Sequence, residues 1–254
     1  RSRRRRPSDA HPMNAAERAK SFESLIERLR RAYRDALAAE PLEPTPPVPL
    51  WLSDDPVLRE FLRAFLTWDC PASRARAAME SIESAFIDAN DLRVSLAQEI
   101  AAALGRTYPR AIDRAERLKS ALNEVYRKEH AVSLVHLRDK PRRDARAYLE
   151  ALPSTPHFVA AWTHLFALGG HAVPVDDRVA ARLISAGLAN EGDAPEALSA
   201  ALEKIIRAGM GVEVSRLLQA WCDDPDPPST KPARSRPRPT AAKRSPARRQ
   251  PRSR

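Results

Sequence analysis

The sequence has few of the residues that build a disulfide scaffold, a thiolate metal centre or a membrane span. It contains only two cysteines, Cys70 and Cys222, which lie far apart along the chain. Neither a disulfide framework nor a four-thiolate metal site is therefore expected. No apolar run approaches the roughly 20 residues of a transmembrane helix. The basic start is also not followed by the apolar segment of a signal peptide. We expect no metal and no cofactor.

Glycine and runs of β-branched residues are also scarce, and this favours helices over strands. The chain has 7 glycines against 23 prolines. The prolines are concentrated at residues 41–49 and after residue 224, so they mark linkers and not kinks inside a fold. Alanine, leucine, arginine and glutamate dominate the remainder, and most of these are strong helix formers. The composition predicts an all-α protein.

Acidic residues are absent from both ends of the chain. Residues 1–6 carry five arginines, and residues 229–254 carry ten lysines and arginines without an acid. Since the formal net charge is +10, residues 7–228 carry a net charge of −5. Such tails are attracted to a polyanion, most simply a nucleic acid, although they also suit an unstructured solubilising extension. The predicted phosphate contacts in the tail are Arg234, Arg236, Arg238, Lys243, Arg244, Arg248 and Arg249.

The spacing of apolar residues predicts about ten helices with short connections. Ser53 is expected to cap the second helix, and Ser95 to open a capping box for a short helix that ends at Gly105. The longest clean helix follows Pro109, with Ile112 among its apolar residues. The other predicted helices occupy residues 14–39, a segment after Pro71, 142–152, a segment ended by Gly169-Gly170, one opened by Asp176-Asp177, 194–208 and 212–222.

The pattern divides the chain into three parts. Residues 1–12 form a basic disordered N-terminus, residues 13–225 form the helical body, and residues 226–254 form a basic, proline-rich disordered tail. The length suits one large helical domain or two small ones that share a core.

One segment of the body, residues 142–188, carries a recognisable order of short motifs. The order is Leu152-Pro153, then Gly169-Gly170, then Val175-Asp176. It resembles the core of the endonuclease III family, within the helix–hairpin–helix superfamily of DNA glycosylases, and the resemblance covers about residues 54–222. It implies an endonuclease III-like helical barrel with a second helical lobe. It also implies DNA as the partner and a base-excision-repair type of function. Because no membrane span or signal peptide is expected, we expect a cytoplasmic or nucleoid location.

The resemblance also assigns site residues. Asp176 matches the aspartate that stabilises positive charge on the sugar of a flipped nucleotide. Phe158 stands where bifunctional relatives have the lysine that forms a Schiff base, so the chain is at most a monofunctional DNA N-glycosylase. Asp69 lies in the region where relatives place a polar residue that fills the gap left by the flipped base. The family's iron–sulfur cluster is not expected, because Cys222 stands alone.

The DNA-binding hairpin of the family matches residues Ser154, Thr155, Pro156 and His157. The family's two hairpin glycines offer backbone N–H groups to a DNA phosphate. Here Ser154 and Pro156 replace them, and proline has no N–H to donate.

Three classes of function remain open from the sequence. The first is a monofunctional glycosylase that uses Asp176. The second is a catalytically inactive, architectural DNA-binding protein derived from that fold, in which Asp176 is only a helix cap that Asn would replace at little cost. The third is a helical interaction module whose tails bind another polyanion. Trp68, Trp162 and Trp221 lie on apolar stripes and are expected in the core.

Overall fold

The computed structural model describes residues 15–34, 37 and 50–228. The proline-rich segment 41–49, the predicted N-terminal segment 1–12 and all seven predicted phosphate contacts of the tail lie outside the described residues. Within the described ranges every regular element is helical and no strand is present. The predicted all-α class is therefore confirmed.

Twelve α-helices occupy the described part of the chain, two more than the pattern predicted. The additions are the short helices α2 and α5. The helices are α1 (Ala15–Ala32), α2 (Leu50–Ser53), α3 (Pro56–Thr67), α4 (Ala72–Ala85), α5 (Ala89–Val94), α6 (Ala97–Leu104), α7 (Ala111–Glu129), α8 (Arg142–Glu150), α9 (His157–Phe166), α10 (Asp177–Ser185), α11 (Pro195–Ile205) and α12 (Gly211–Asp223). Single 3₁₀ turns lie at Val135–Arg138 and Ala208–Met210.

The cap of α3 is Asp55 and not Ser53, so that prediction was wrong. Asp55 directly precedes Pro56, the first residue of α3, and its carboxylate accepts a hydrogen bond of 2.8 Å from the backbone N–H of Leu58. The second carboxylate oxygen accepts from the backbone N–H of Leu134 at 2.7 Å. Ser53 belongs to α2 instead. Asp55 thus fixes both the start of α3 and the connection that follows α7.

Ser95 also serves a different helix from the one predicted. Its hydroxyl donates to the carbonyl of Asp91 at 2.8 Å, at the C-terminal end of α5. The reciprocal contact at the start of α6 comes from Glu99, whose carboxylate accepts from the backbone N–H of Leu96 at 2.8 Å. The short helix α5 occupies the residues before Ser95, so the serine lies past a helix end. Gly105 ends α6 with φ of 96°, as predicted.

Two large hydrophobic cores divide the described residues into two lobes, and a third, small cluster contains Ala161, Leu165 and Ala172. The larger core is built from α2 to α9. The smaller core joins α1 to α10, α11 and α12, so that the first helix packs against the last three. Trp68 and Trp162 lie in the larger core and Trp221 in the smaller, as predicted. Ile112 was predicted on the apolar face of α7 but is 43% exposed.

The connection between the lobes depends on a close approach at Gly170. This glycine donates its N–H to the carbonyl of His164 at 2.9 Å and thereby closes the end of α9. A Cβ atom at position 170 would lie 1.9 Å from Nε2 of the His164 ring, so no larger residue fits without movement. Residues 171–176 form no regular secondary structure and lead directly into α10. No described helix is both long and apolar enough to cross a membrane.

Candidate active site at the junction of the lobes

Asp176 lies at the junction and caps α10. Its backbone is extended, and carboxylate oxygen Oδ1 accepts a hydrogen bond of 2.9 Å from the backbone N–H of Val179. This is the standard arrangement by which an aspartate satisfies a free N–H of the first helical turn. The residue is only 1% exposed. Val175 and Val179 on either side are anchored in the smaller core, which holds the cap in place.

The second oxygen of Asp176 is engaged by the other lobe. Oδ2 accepts a hydrogen bond of 3.1 Å from the backbone N–H of Asp69, in the connection between α3 and α4. Asp69 returns the contact, because its own Oδ1 accepts from the backbone N–H of Asp177 at 3.0 Å. The backbone of Asp69 has φ of 50°, a left-handed conformation that aspartate tolerates better than most residues. Both oxygens of Asp176 are thus bound by backbone N–H groups from the two lobes.

Burial dominates the electrostatics of this pair. Removal from water raises the pKa of Asp176 to about 6, and the charge of Asp69 acts in the same direction. The hydrogen bonds from Val179 and Asp69 and the charge of Arg178 oppose the rise. The pKa of Asp69 is also raised, first by burial and then by the charge of Asp177. The carboxylates of Asp176 and Asp69 therefore both lie in surroundings that are poorly suited to negative charge.

Arg178 ties α10 to the same connection of the larger lobe. Its guanidinium donates to the carbonyl of Cys70 at 2.6 Å and also pairs with Asp223 in α12. Asp223 in turn accepts from the backbone N–H of Ala72, at the start of α4, at 2.8 Å. Cys70 is fully buried beneath these contacts. The segment 69–72 is consequently held by α10 and α12 together.

Two arginines complete the site: Arg114 in α7, and Arg110 directly before this helix. The sequence analysis identified neither. Arg110 donates to Oδ2 of Asp69 at 3.0 Å, and its guanidinium carbon lies 4.2 Å from the centroid of the Trp68 ring. Arg114 is fully buried and donates to the carbonyls of Phe65 and Trp68 at the end of α3. For Arg114, the available signal was its charge at a position in helical register with the apolar face of α7. Arg110 precedes the helix and gave no such signal.

Phe158 occupies the first turn of α9 and belongs to the larger core. It is 2% exposed, and its ring centroid lies 5.5 Å from that of Trp162. The structure therefore places a packed aromatic ring at the position that the sequence resemblance assigns to the lyase lysine.

The hairpin residues lie apart from the contacts around Asp176. Ser154 is exposed, and its φ of 59° provides the left-handed turn that a glycine would adopt without cost. Pro156 takes the N-cap position of α9 without a side-chain cap. Nε2 of His157 lies 3.1 Å from the hydroxyl of Ser199, which donates its proton to the carbonyl of Val173 at 2.7 Å. His157 must therefore act as the donor, and it ties the hairpin to α11.

No group of three or more histidine, cysteine or acidic residues in the described ranges has an arrangement suited to a metal ion. Cys222 is half-buried in α12, and burial raises the pKa of its thiol to about 12. The thiol therefore stays protonated at neutral pH.

Comparisons with known proteins give the fold but no close relative. No protein-family model and no curated protein matches the sequence. A trapped covalent endonuclease III–DNA intermediate, an estranged-adenine complex, superposes with a TM-score of 0.59 at 16% identity, over 82% of this chain and 90% of the other. A thermostable thymine-DNA glycosylase gives 0.54 at 18% identity, over 82% and 87%. The Helicobacter pylori 3-methyladenine DNA glycosylase bound to 1,N6-ethenoadenine gives 0.52 at 18% identity, over 83% and 89%.

The chain therefore has the all-helical endonuclease III fold. The resemblance stated from the motif order is confirmed at the level of the fold. The roles given to Asp176, to the hairpin and to the tail remain predictions.

Proposed function

We propose that this protein binds DNA but does not excise bases, because the residues of the glycosylase site serve to hold the two lobes together. The observation that carries the proposal is the state of Asp176, which is 1% exposed and has both carboxylate oxygens bound by backbone N–H groups. A carboxylate in this state supports the fold and does not face a substrate.

Base excision needs more than an aspartate at the right position in the sequence. The carboxylate has to lie against the sugar on which positive charge develops, with the flipped nucleotide held in an open pocket. The backbone N–H of Asp69 occupies one oxygen of Asp176, and that of Val179 occupies the other. The lyase route is also closed, because Phe158 has no nucleophile and is packed in the larger core.

Support for DNA binding comes from the tail and from the fold. Residues 229–254 carry ten lysines and arginines without an acid, whereas residues 7–228 carry a net charge of −5. Neutralising phosphates with such a tail releases counterions and gives binding that does not depend on sequence. Two of the solved structures with this fold are endonuclease III bound to DNA. The hairpin contributes less than in relatives, since Pro156 lacks an N–H.

A second candidate is a monofunctional glycosylase that uses Asp176 as the charge-stabilising residue. One observation favours it. Asp176 lies at the N-terminus of α10 with a carboxyl whose pKa is raised to about 6, and perturbed acids of this kind concentrate at functional sites. This candidate requires the contacts from Asp69 to open during the reaction.

Binding is tested by fluorescence anisotropy with an undamaged duplex, over about 50 to 200 mM salt, with the full chain and a chain that ends at residue 228. We expect the full chain to bind with a steep salt dependence and the shortened chain to bind more weakly with a flatter one. If the full chain fails to bind any duplex, the DNA-binding proposal is wrong and the interaction module is favoured. If the salt dependence of binding is the same for the shortened chain, the phosphate contacts lie in the helical body and not in the tail.

A further inference from the structure

Four cations lie within six consecutive residues at the start of α8. All are exposed, and together we call them the α8 patch: Arg138, Lys140, Arg142 and Arg143. Leu137 before the patch and Ala145 after it are fully buried in the larger core. The backbone N–H of Asp144 donates to the carbonyl of Pro141 at 2.9 Å. The fold therefore holds the backbone of the patch in place on the surface of the larger lobe.

The side chains of the α8 patch have no hydrogen-bond or ion-pair partner among the described residues. Arginines elsewhere in the body are often paired with carboxylates, as Arg110 is with Asp69 and Asp113, and Arg127 with Glu124. A paired arginine has part of its charge neutralised already, whereas the cations of the patch keep their full charge. The patch can therefore bind an external anion without first breaking a contact within the protein.

The charge of the patch is opposite in sign to that of the body. Residues 138–144 contain the four cations and two acids, Asp139 and Asp144, so this segment has a net charge of +2. Neither acid forms an ion pair with the patch in the described structure. The whole body, residues 7–228, has a net charge of −5. A local excess of positive charge on an acidic body attracts a polyanion to that place in particular.

The α8 patch lies away from the hairpin. α8 has 9 residues, so about 13 Å of helix separates its start from the hairpin that follows its end. Arg142 also reaches the far end of α9, since a Cβ atom at Gly169 would lie 3.8 Å from Nη2 of Arg142. The patch is therefore a different surface from Ser154–His157, the residues that match the DNA-binding hairpin of the family.

The chemistry of the α8 patch fits phosphate groups. Three of its four residues are arginines, whose planar guanidinium groups donate pairs of parallel hydrogen bonds to phosphate oxygens. Residues 138–144 include no large apolar side chain, so they offer little to a hydrophobic partner. Several exposed cations along one segment match the row of charges on a nucleic-acid backbone.

We propose that the α8 patch is a phosphate-binding surface of the helical body, which contacts the backbone of a DNA duplex separately from the tail. The proposal rests on the proposed function, because it names a surface for the DNA binding inferred above. It accounts for the weaker binding that is expected of a chain ending at residue 228.

Lysine acetylation tests the contact in the unaltered full chain. The rate at which each lysine is acetylated is measured by peptide mass spectrometry, with and without a saturating undamaged duplex. We expect the duplex to slow the acetylation of Lys140 several-fold, because a bound phosphate backbone covers its amine. Lys20, which is exposed in α1, should react at the same rate in both samples. Lys231 and Lys243 report binding by the tail.

A matched pair of triple variants separates the α8 patch from the effect of net charge. The patch variant carries Lys140→Gln, Arg142→Gln and Arg143→Gln. The control variant carries Lys20→Gln, Arg31→Gln and Arg34→Gln, which remove the same charge from exposed positions in and just after α1. The slope of log affinity against log salt should fall by about 2 to 3 in the patch variant, since each phosphate contact contributes roughly 0.9. The control should keep the slope of wild type, and both variants should melt like wild type by circular dichroism.

Slower acetylation of Lys231 and Lys243 without slower acetylation of Lys140 would contradict the proposal, because DNA would then be bound by the tail alone. The proposed function would stand in that case. An equal loss of slope in the two triple variants would also contradict it, since only the net charge would then matter. If the full chain binds no duplex, the proposed function itself is wrong, and the α8 patch is refuted with it.

Discussion

Replacing Asp176 with Asn separates the two roles of its carboxylate, the charge and the pair of accepted hydrogen bonds. The amide oxygen of Asn can still accept from the N–H of Val179. Its NH₂ group then faces the N–H of Asp69, where a carboxylate oxygen accepts at present. One half-buried donor loses its partner, which costs on the order of 1 kcal/mol. The expectation from sequence that Asn would cap at little cost did not include this second contact.

Removing the charge of Asp176 instead stabilises the Asn variant, and the size of this effect depends on pH. The carboxyl has an ordinary pKa of 3.8, and burial raises it to about 6 in the folded protein. The folded state therefore binds the proton of Asp176 more tightly than the unfolded state does. The stabilisation from this proton is fully present below 3.8, the pKa of the unfolded chain. That stabilisation is lost as the pH rises through about 6. At 1.36 kcal/mol per pH unit, an ionised Asp176 costs about 3 kcal/mol above pH 6, and the Asn variant avoids this cost.

The expected result is a difference in unfolding free energy between the two proteins that changes with pH. Relative to wild type, Asp176→Asn should become more stable by about 2–3 kcal/mol between pH 4 and pH 7. Urea unfolding followed by circular dichroism at several pH values measures this difference, and groups remote from Asp176 cancel in it. A difference that stays constant with pH would refute the reasoning, because it would mean that Asp176 is solvated and open.

Three further changes test other parts of the structure. Gly170→Ala should lower stability by about 1–3 kcal/mol or more, since the new methyl group meets the His164 ring, whereas Gly209→Ala, with open space around it, should change the melting temperature little. Asp55→Ala should lower the free energy of urea unfolding by about 3 kcal/mol or more, because the buried N–H groups of Leu58 and Leu134 lose their acceptor. Asp54 is exposed, so the control variant Asp54→Ala should lower it by less than about 0.5 kcal/mol. Borohydride reduction on abasic-site DNA should trap no adduct with wild type by the family's lysine route, since Phe158 fills that position; an adduct mapped to a lysine elsewhere in the chain would contradict this.

The parts of the fold that were predictable are those that short sequence signals determine. Gly105 and Gly169-Gly170 end helices where the sequence placed them, and Asp176 caps α10. These features depend on backbone conformation and on N–H groups within one turn of the residue. The order of such signals was enough to indicate the endonuclease III fold at identities below 20%.

The contacts that enclose Asp176 were not predictable from the sequence, because they join distant parts of the chain. Asp69 and Asp176 are separated by 107 positions, and no local pattern indicates that one closes over the other. The burial of Arg114 likewise depends on the free carbonyls at the end of α3, which tertiary packing brings to it. Ser53 failed as a cap because Asp55 lies next to Pro56 and so has the better position for the first turn.

The central claim, DNA binding without base excision, is tested most directly by measuring base release under single-turnover conditions. The full chain, in excess, is incubated with duplexes that carry a broad panel of damaged or mismatched bases, and released bases are detected by mass spectrometry. Binding to each duplex is verified in the same samples. The account predicts that wild type binds every duplex and releases no base above the rate without protein. Release of a base by wild type, reduced on the order of a hundredfold or more in Asp176→Asn, would contradict it and establish a monofunctional glycosylase.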